Sequence, residues 1–302
     1  MPVIPIRGIS PAVFRANAKE TTMCDLNDQE ELHKYTRRDF GAWAASAGLL
    51  TALPAVANAA AVAEREVSIT TPDGVCDAYF VAPTSGSAPG VLVWPDVFGL
   101  RPAFRQMGKR LAESGYSVLV VNPFYRQKKA PTAAQGGQTP IEEVRPLMQA
   151  LTPAMHLSDG KTFVAWLDAQ PEVDKKRKIG TTGYCMGGPI AVRTATVAPG
   201  RVGAVASFHG AAMVTQAPDS PHRLVGQTQA HYLIAVAEND DAKEPEAKTT
   251  LRTAIESAKL PAEVEVYPAA HGWCPPDTRV YDAAQSERAW TRLLATFGKA
   301  LA

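Results

Sequence analysis

Two short stretches of this sequence consist only of apolar residues that favour β-strands. They are Val-Leu-Val-Trp at residues 91–94 and Val-Leu-Val-Val at residues 118–121. A strand with one face in water alternates between apolar and polar residues, whereas a strand covered on both faces does not. These stretches therefore predict a mostly parallel sheet with helices packed on both faces.

Strand-like runs recur along the chain and support this class of fold. They lie at residues 66–70, 76–82, 90–94, 117–122, 178–183, 203–208, 232–237 and 263–267. Between the later runs apolar residues recur with helical spacing, as at Leu251, Ala254 and Ile255. The first two runs precede any helical pattern and predict an antiparallel edge. The pattern predicts an α/β fold with about eight strands, and residues 128–141 are interpreted as a long surface loop.

The N-terminal part of the chain has the pattern of an export signal. Arg37 and Arg38 precede an uncharged stretch at residues 41–63, and the Ala-Asn-Ala sequence at 57–59 offers a cleavage site for signal peptidase. The arginine pair followed by Phe40 resembles a twin-arginine signal. This resemblance implies that the twin-arginine export machinery is a partner and that the protein is periplasmic or secreted.

Cleavage at this point predicts a signal peptide at residues 1–59 and a single domain at residues 60–302, with either Met1 or Met23 as the start. The alternative is a membrane anchor, which Pro54 and the polar residues of the stretch disfavour. We therefore expect no stable membrane association after cleavage.

The charge balance excludes other classes of partner. The chain has 31 basic and 30 acidic residues, a net charge of +1, and the first 59 residues contain six of each sign. Nucleic acids and anionic membrane surfaces are bound through a strongly basic field, which this composition does not provide. A small-molecule ligand is therefore expected.

The sequence Gly183-Tyr184-Cys185-Met186-Gly187-Gly188 lies where a predicted strand passes into a helix. This is the nucleophile elbow pattern with cysteine in place of serine. Its glycines allow a sharp turn, and the turn places Cys185 at a helix N-terminus, where the helix dipole favours a thiolate. The alternative is a buried cysteine in an ordinary strand-to-helix turn.

A cysteine nucleophile needs a base and an acid that orients the base. His271 follows the last predicted strand, and Asp240 and Asp241 follow the strand before it. The order nucleophile, acid, histidine is that of α/β-hydrolases. We favour Asp240 as the acid, with Asp241 as the alternative. His209 also follows a strand, but it would reverse this order, so we interpret it as a histidine of the pocket wall.

Together with Glu238-Asn239-Asp240, Ala270-His271-Gly272 and Asp96-Val97-Phe98-Gly99, the cysteine elbow resembles the dienelactone hydrolase family. The resemblance extends over nearly all of residues 67–297. It implies an α/β-hydrolase fold, a Cys185-Asp240-His271 triad, and hydrolysis of lactones or related esters with no metal and no cofactor.

The resemblance also implies roles for residues around the nucleophile. Asp96 matches an acidic residue, usually glutamate, that controls the ionisation of the cysteine. Val97 and Met186 would supply the backbone N–H groups of the oxyanion hole. An alternative for Asp96 is a cap on the helix that starts near Pro102.

One departure from the family concerns substrate binding. The family holds a substrate carboxylate with two arginines, and only Arg126 matches one of them, because Pro275 stands at the other position. The dienelactone substrate is therefore not implied. The aromatic residues near the strand ends would suit a larger or more apolar ester, and they are Trp94, Phe98, Tyr125 and Trp273.

Two other classes of function compete with the hydrolase. One is a non-catalytic binding protein on a hydrolase scaffold. The other is a thiol redox protein in which Cys274 or Cys76 resolves Cys185, although no C-x-x-C motif supports it. Three cysteines remain after cleavage, so at least one free thiol is expected.

Overall fold

The computed structural model describes residues 51–302, in which eight strands form one sheet flanked by helices. In chain order the strands are β1 (Val62–Thr71), β2 (Gly74–Pro83), β3 (Gly90–Trp94), β4 (Ser117–Val121), β5 (Ile179–Tyr184), β6 (Val202–Phe208), β7 (His231–Ala237) and β8 (Ala262–Tyr267). Each lies at one of the predicted runs. The mostly parallel eight-stranded sheet is thus confirmed.

The order of strands across the sheet is β1-β2-β4-β3-β5-β6-β7-β8. β1 pairs antiparallel with β2, β2 pairs antiparallel with β4, and all the other pairs are parallel. The antiparallel edge is therefore confirmed. The crossover between β4, β3 and β5 puts the carboxyl ends of these strands at one edge, where ligands of open α/β sheets bind.

The helices connect successive strands of the parallel part of the sheet and follow the last one. They are α1 (Pro102–Glu113), α2 (Ile141–Gln149), α3 (Pro153–Ala169), α4 (Gly187–Val197), α5 (Pro221–Leu224), α6 (Glu238–Lys243), α7 (Ala247–Ser257) and α8 (Ala283–Ala300). Two short 3₁₀ turns at Gly136–Gln138 and Val225–Gln227 complete the set in the described part of the chain.

The central strands are buried on both faces, as their sequences predict. Val91 and Val93 of β3 belong to an apolar cluster that includes residues of α1 and α8, such as Phe104 and Phe297. Leu92, between the two valines, points to the opposite face and is also fully buried. Because both faces of the sheet are covered, every side chain of these continuous apolar runs is buried and stabilises the sheet, whichever face it points to.

The register of the sheet brings the ends of several strands side by side. Trp94 pairs with Gly183, and Tyr184 pairs with Phe208. Ala237 at the end of β7 pairs with Tyr267 at the end of β8. Residues that follow these strands consequently share one edge of the sheet.

The start of the described chain bears on the predicted signal peptide. Arg37 and Arg38 lie outside the described residues, whereas the Ala-Asn-Ala sequence at 57–59 is exposed in a turn. Leu53 packs against the apolar cluster, and the N–H of Ala60 donates to the carbonyl of Glu113 at 2.9 Å. No helix within residues 51–302 is both long enough and apolar enough to cross a bilayer.

The segment at residues 128–141 differs from the predicted surface loop, because Thr132, Ala133 and Thr139 within it are buried. The Thr132 hydroxyl donates to the carbonyl of Phe98 at 2.8 Å, and the Gly137 N–H donates to Asp277 at 2.9 Å. The segment is rich in Gln, Gly and Pro, as linkers are. Here, however, these two hydrogen-bond donors are paired with residues outside the segment.

Candidate active site

Cys185 sits in a strained turn between β5 and α4. Its φ angle is +51°, a left-handed conformation that costs a non-glycine residue about 1–3 kcal/mol. The glycines around it have no room for a side chain. A Cβ at Gly183 would lie 1.9 Å from the carbonyl oxygen of Gly187, and one at Gly188 would lie 2.4 Å from Ser207 Oγ. The elbow predicted from the sequence therefore forms with the strain that such turns carry.

The backbone around Cys185 is held by hydrogen bonds to the next strand. The Cys185 N–H donates to the carbonyl of Phe208 at 3.0 Å, and its own carbonyl accepts from Gly188 at 3.0 Å and Ala211 at 3.2 Å. The residue is 4% exposed. These bonds fix the thiol at the N-terminus of α4, where the helix dipole favours a thiolate.

His271 is bound to one of the two candidate acids. Its Nδ1 lies 2.6 Å from Asp240 Oδ2, and its backbone N–H donates to Asn239 Oδ1 at 2.8 Å. Asp241 instead forms an ion pair with Lys248, also at 2.6 Å. The structure therefore brings Asp240 and not Asp241 to His271.

The ring of His271 packs against the fully buried ring of His209, which in turn packs against the buried ring of Trp273. The centroid of His209 lies 5.0 Å from that of His271, and the centroid of Trp273 lies 5.0 Å from that of His209. Neither ring nitrogen of His209 has a hydrogen-bond partner among the described residues. Burial and the neighbouring His271 hold the pKa of His209 well below its ordinary value, so this ring is neutral.

The loop after β3 packs directly on the elbow. A Cβ at Gly187 would lie 2.3 Å from the Trp94 carbonyl oxygen, so the strand end and the start of α4 touch through backbone atoms. Val97 follows on this loop, and Met186 directly follows Cys185. Within residues 51–302 the N–H groups of Val97 and Met186 donate no hydrogen bond. Unpaired backbone donors are what an oxyanion hole requires.

The carboxylate of Asp96, expected to control the cysteine, is bound by Arg101. The guanidinium donates to its two oxygens at 2.6 and 2.9 Å. The same carboxylate accepts the N–H of Phe98 at 2.9 Å, which fixes the loop that carries Val97. Burial raises the pKa of Asp96, although Arg101 acts against this shift. The helix after the loop has Arg101 and not Asp96 at its N-cap.

Arg126, the expected substrate anchor, is bound to two carboxylates of the protein. It donates to both oxygens of Asp159 at 2.7 Å and to Asp73 at 2.6 and 3.0 Å. Its side chain is 11% exposed. Binding a substrate carboxylate would require at least one of these ion pairs to open.

The aromatic residues expected to line a larger pocket are mostly core residues. Trp94 and Trp273 are at most 1% exposed, and Tyr125 is 8% exposed. The Tyr125 hydroxyl donates to Asp159 at 2.9 Å. Only Phe98 of this group is partly exposed.

None of the three cysteines of the described chain forms a disulfide. Burial raises the pKa of Cys76 and that of Cys274, and both are less reactive for that reason. A resolving partner for Cys185 would need the opposite environment. No group of three metal-binding side chains occurs among the described residues.

Three residues of this region did not stand out in the sequence: Arg101, Asp159 and Asp277. Arg101 and Asp277 are 176 positions apart, and no motif marks either of them. His209, which was interpreted from the sequence as a histidine of the pocket wall, lies with its ring centroid 5.0 Å from that of His271.

Known proteins resemble this chain over most of its length. Residues 76–301 match the Dienelactone hydrolase family. A candidate carboxymethylenebutenolidase of Synechocystis sp. is 29% identical over 226 residues, covering 72% of this chain and 89% of the relative. The carboxymethylenebutenolidase of Rhodococcus opacus is 26% identical over 184 residues, covering 61% of this chain and 69% of the relative.

Solved structures show the same fold. A candidate dienelactone hydrolase from Klebsiella pneumoniae superposes with a TM-score of 0.69 at 24% identity, covering 79% of this chain and 99% of the other. The family match covers residues 76–301, which is most of the chain. The chain therefore belongs to the dienelactone hydrolase family and is a hydrolase that acts on ester or lactone bonds.

Proposed function

We propose that this hydrolase cleaves a carboxylic ester or lactone through Cys185, with His271 as the base and Asp240 as the orienting acid. The observations that carry the proposal are the 2.6 Å contact between His271 Nδ1 and Asp240 Oδ2 and the φ of +51° at Cys185, in the strand-to-helix turn after β5. This is the geometry of a nucleophile elbow with its acid–base pair.

The first half of the reaction forms a thioester. His271 Nε2 takes the proton of Cys185, and the thiolate attacks the carbonyl carbon of the substrate. The N–H groups of Val97 and Met186 stabilise the oxyanion. When the tetrahedral intermediate collapses, the carbon–oxygen bond to the alcohol breaks, and the leaving oxygen takes the proton from His271.

The second half hydrolyses the thioester. His271 takes a proton from water, and the resulting hydroxide attacks the thioester carbonyl. The carbon–sulfur bond breaks, the thiolate recovers the proton from His271, and the acid product leaves. Asp240 stabilises the imidazolium in both halves.

Asp96 supports this chemistry from the loop after β3. Through the N–H of Phe98 and through Arg101 it holds the backbone that presents Val97 to the oxyanion. We also propose that its carboxylate influences the ionisation of Cys185. This second effect would be electrostatic, and water screens it little because Asp96 is only 3% exposed.

Export is a further part of the proposal. The paired arginines before an uncharged stretch support a twin-arginine signal, and the exposed turn at residues 57–59 is accessible to a peptidase. The proposed location is the periplasm or the medium. Edman sequencing of protein recovered from a periplasmic fraction should begin at Ala60.

Steady-state hydrolysis of p-nitrophenyl acetate tests the proposed chemistry. We expect Cys185→Ala to reduce kcat/KM by roughly 10³-fold or more, because the nucleophile is lost. Cys274→Ala is the matched control, since it removes another buried thiol and should leave kcat/KM within a few-fold of wild type. Equal rates for wild type and a folded Cys185→Ala variant would contradict the proposal.

A further inference from the structure

The turn after β6, which contains His209, is bonded to the backbone of the proposed nucleophile. The carbonyl of Phe208 accepts the N–H of Cys185 at 3.0 Å, and the N–H of Ala211 donates to the carbonyl of Cys185 at 3.2 Å. The N–H of His209 itself donates to the carbonyl of Ala235 at 2.8 Å, in β7, the strand before the proposed acid. The turn therefore joins the nucleophile elbow to the strand that carries the acid.

The ring of His209 contacts the loop that carries the proposed base. His271 and Trp273 both lie on the loop after β8, and each ring centroid is 5.0 Å from the centroid of His209. The ring planes are inclined to that of His209 by 61° and 68°. Trp273 stacks in turn on Tyr267 at the end of β8, with an interplanar angle of 16°. This series of rings connects the proposed base to the core of the sheet.

His209 is placed to hold a neighbour and not to contact a substrate, because its side chain is fully buried. Its φ angle is +41°, a left-handed conformation that is unfavourable for a residue other than glycine. Such strain is found most often at functional sites. Burial, and then the charge of His271, hold the pKa of His209 well below its ordinary value. The ring therefore stays neutral and does not repel the imidazolium that His271 forms during the reaction.

We infer that His209 is a positioning residue of the reaction, whose ring holds the ring of His271 in the orientation that binds Asp240. The inference rests on the proposed ester hydrolysis at Cys185. A histidine held by one hydrogen bond to its ring can still turn about its side-chain bonds, and packing against a buried ring limits that rotation. Catalysis depends on this limit, since a misplacement near 1 Å costs about 10²-fold in rate.

Steady-state hydrolysis of p-nitrophenyl acetate by variants of the full chain tests the inference. His209→Ala removes the ring and should lower kcat by about tenfold or more. KM should stay within about twofold of wild type, because His271 acts in both halves of the reaction and the substrate does not contact His209. His209→Phe retains a flat ring at the same position and should keep kcat within about threefold of wild type.

The matched control is His156→Ala, which removes the same ring from another buried site. His156 lies in α3, and its pKa is lowered by burial and then by the charges of Arg193 and Arg126. This variant should leave kcat within about twofold of wild type. A loss of kcat equal to that of His209→Ala would mean that removing any buried ring loosens the protein, and it would overturn the inference.

His209→Leu keeps the test decisive if His209→Ala does not fold, because leucine fills the space without a flat ring. Its kcat should be several-fold below that of His209→Phe. An unchanged kcat in the folded alanine or leucine variant, or an equal loss in the phenylalanine variant, would overturn the inference. If Cys185→Ala is inactive and the His209 variants match wild type, only the inference fails. If Cys185→Ala is as active as wild type, the proposed function fails and the inference falls with it.

Discussion

Replacing Gly187 by alanine should reduce catalysis by displacing the backbone of the oxyanion loop, the loop after β3 that carries Val97. A Cβ at this position would lie 2.3 Å from the carbonyl oxygen of Trp94 and 2.8 Å from that of Pro95. Both are backbone atoms and cannot rotate away. Contacts of a Cβ below 3.0 Å essentially never occur, so the Trp94 carbonyl must retreat by about 0.7 Å.

That displacement is large on the scale that catalysis tolerates. Val97 lies three residues after Trp94 on the same loop, and its N–H is proposed to bind the oxyanion. A misplacement approaching 1 Å costs about 10²-fold in rate, and overpacking costs a further ~1–3 kcal/mol in stability. We therefore expect kcat/KM for p-nitrophenyl acetate to fall by about 10²-fold.

The assay compares Gly187→Ala with Gly298→Ala. Gly298 is exposed in α8, and a Cβ there meets nothing within 4 Å. Alanine at this helical position should stabilise the protein by about 0.5–1 kcal/mol and leave activity unchanged. Circular dichroism at the assay temperature verifies that both variants are folded. A folded Gly187→Ala variant with kcat/KM within twofold of wild type would refute the coupling between elbow and oxyanion loop.

Two further predictions concern the acid and a buried histidine. Asp240→Asn should lower kcat by roughly 10³-fold, because His271 loses its orienting carboxylate. Asp241→Asn breaks only the ion pair with Lys248 and should change kcat by less than a few-fold. Comparable losses of kcat in both variants would contradict the assignment of Asp240 as the acid. Burial, followed by the charges of two nearby arginines, lowers the pKa of His156 from 6.5 to about 3. Its contribution to stability is therefore full above pH 6.5 and lost as the pH falls towards 3. Between pH 7 and pH 5 this loss of unfolding free energy is about 2 kcal/mol. Urea titrations at the two pH values measure how much unfolding free energy each protein loses, and His156→Leu should lose less than wild type by that amount. An equal loss in the variant and the wild type would contradict the reasoning.

The sheet could be predicted because its signals are local. Continuous apolar runs such as residues 91–94 identify strands buried on both faces whatever the distant contacts. A pair of candidates for the acid could also be predicted, since β7 and β8 are neighbours and residues after adjacent parallel strands meet at one edge. The choice between Asp240 and Asp241 needed the structure, because it depends on the position of Lys248.

Other features could not be predicted because they depend on distant partners. Arg101 pairs with Asp277, and the two residues are 176 positions apart in the sequence. His156 lies in no motif, yet it is buried in α3. That helix begins with Thr152 as N-cap and Pro153 at the first position, which are helix start signals.

The measurement that tests the central claim most directly is intact-mass spectrometry of the protein after brief exposure to p-nitrophenyl acetate. A cysteine acyl-enzyme predicts a mass increase of one acetyl group on the wild type, with release of nitrophenol and with the group located on Cys185 by peptide mapping. Asp240→Asn should accumulate the adduct more slowly, and Cys185→Ala should not form it. Nitrophenol release with no adduct on Cys185, or an equal adduct on the Cys185→Ala variant, would contradict the account.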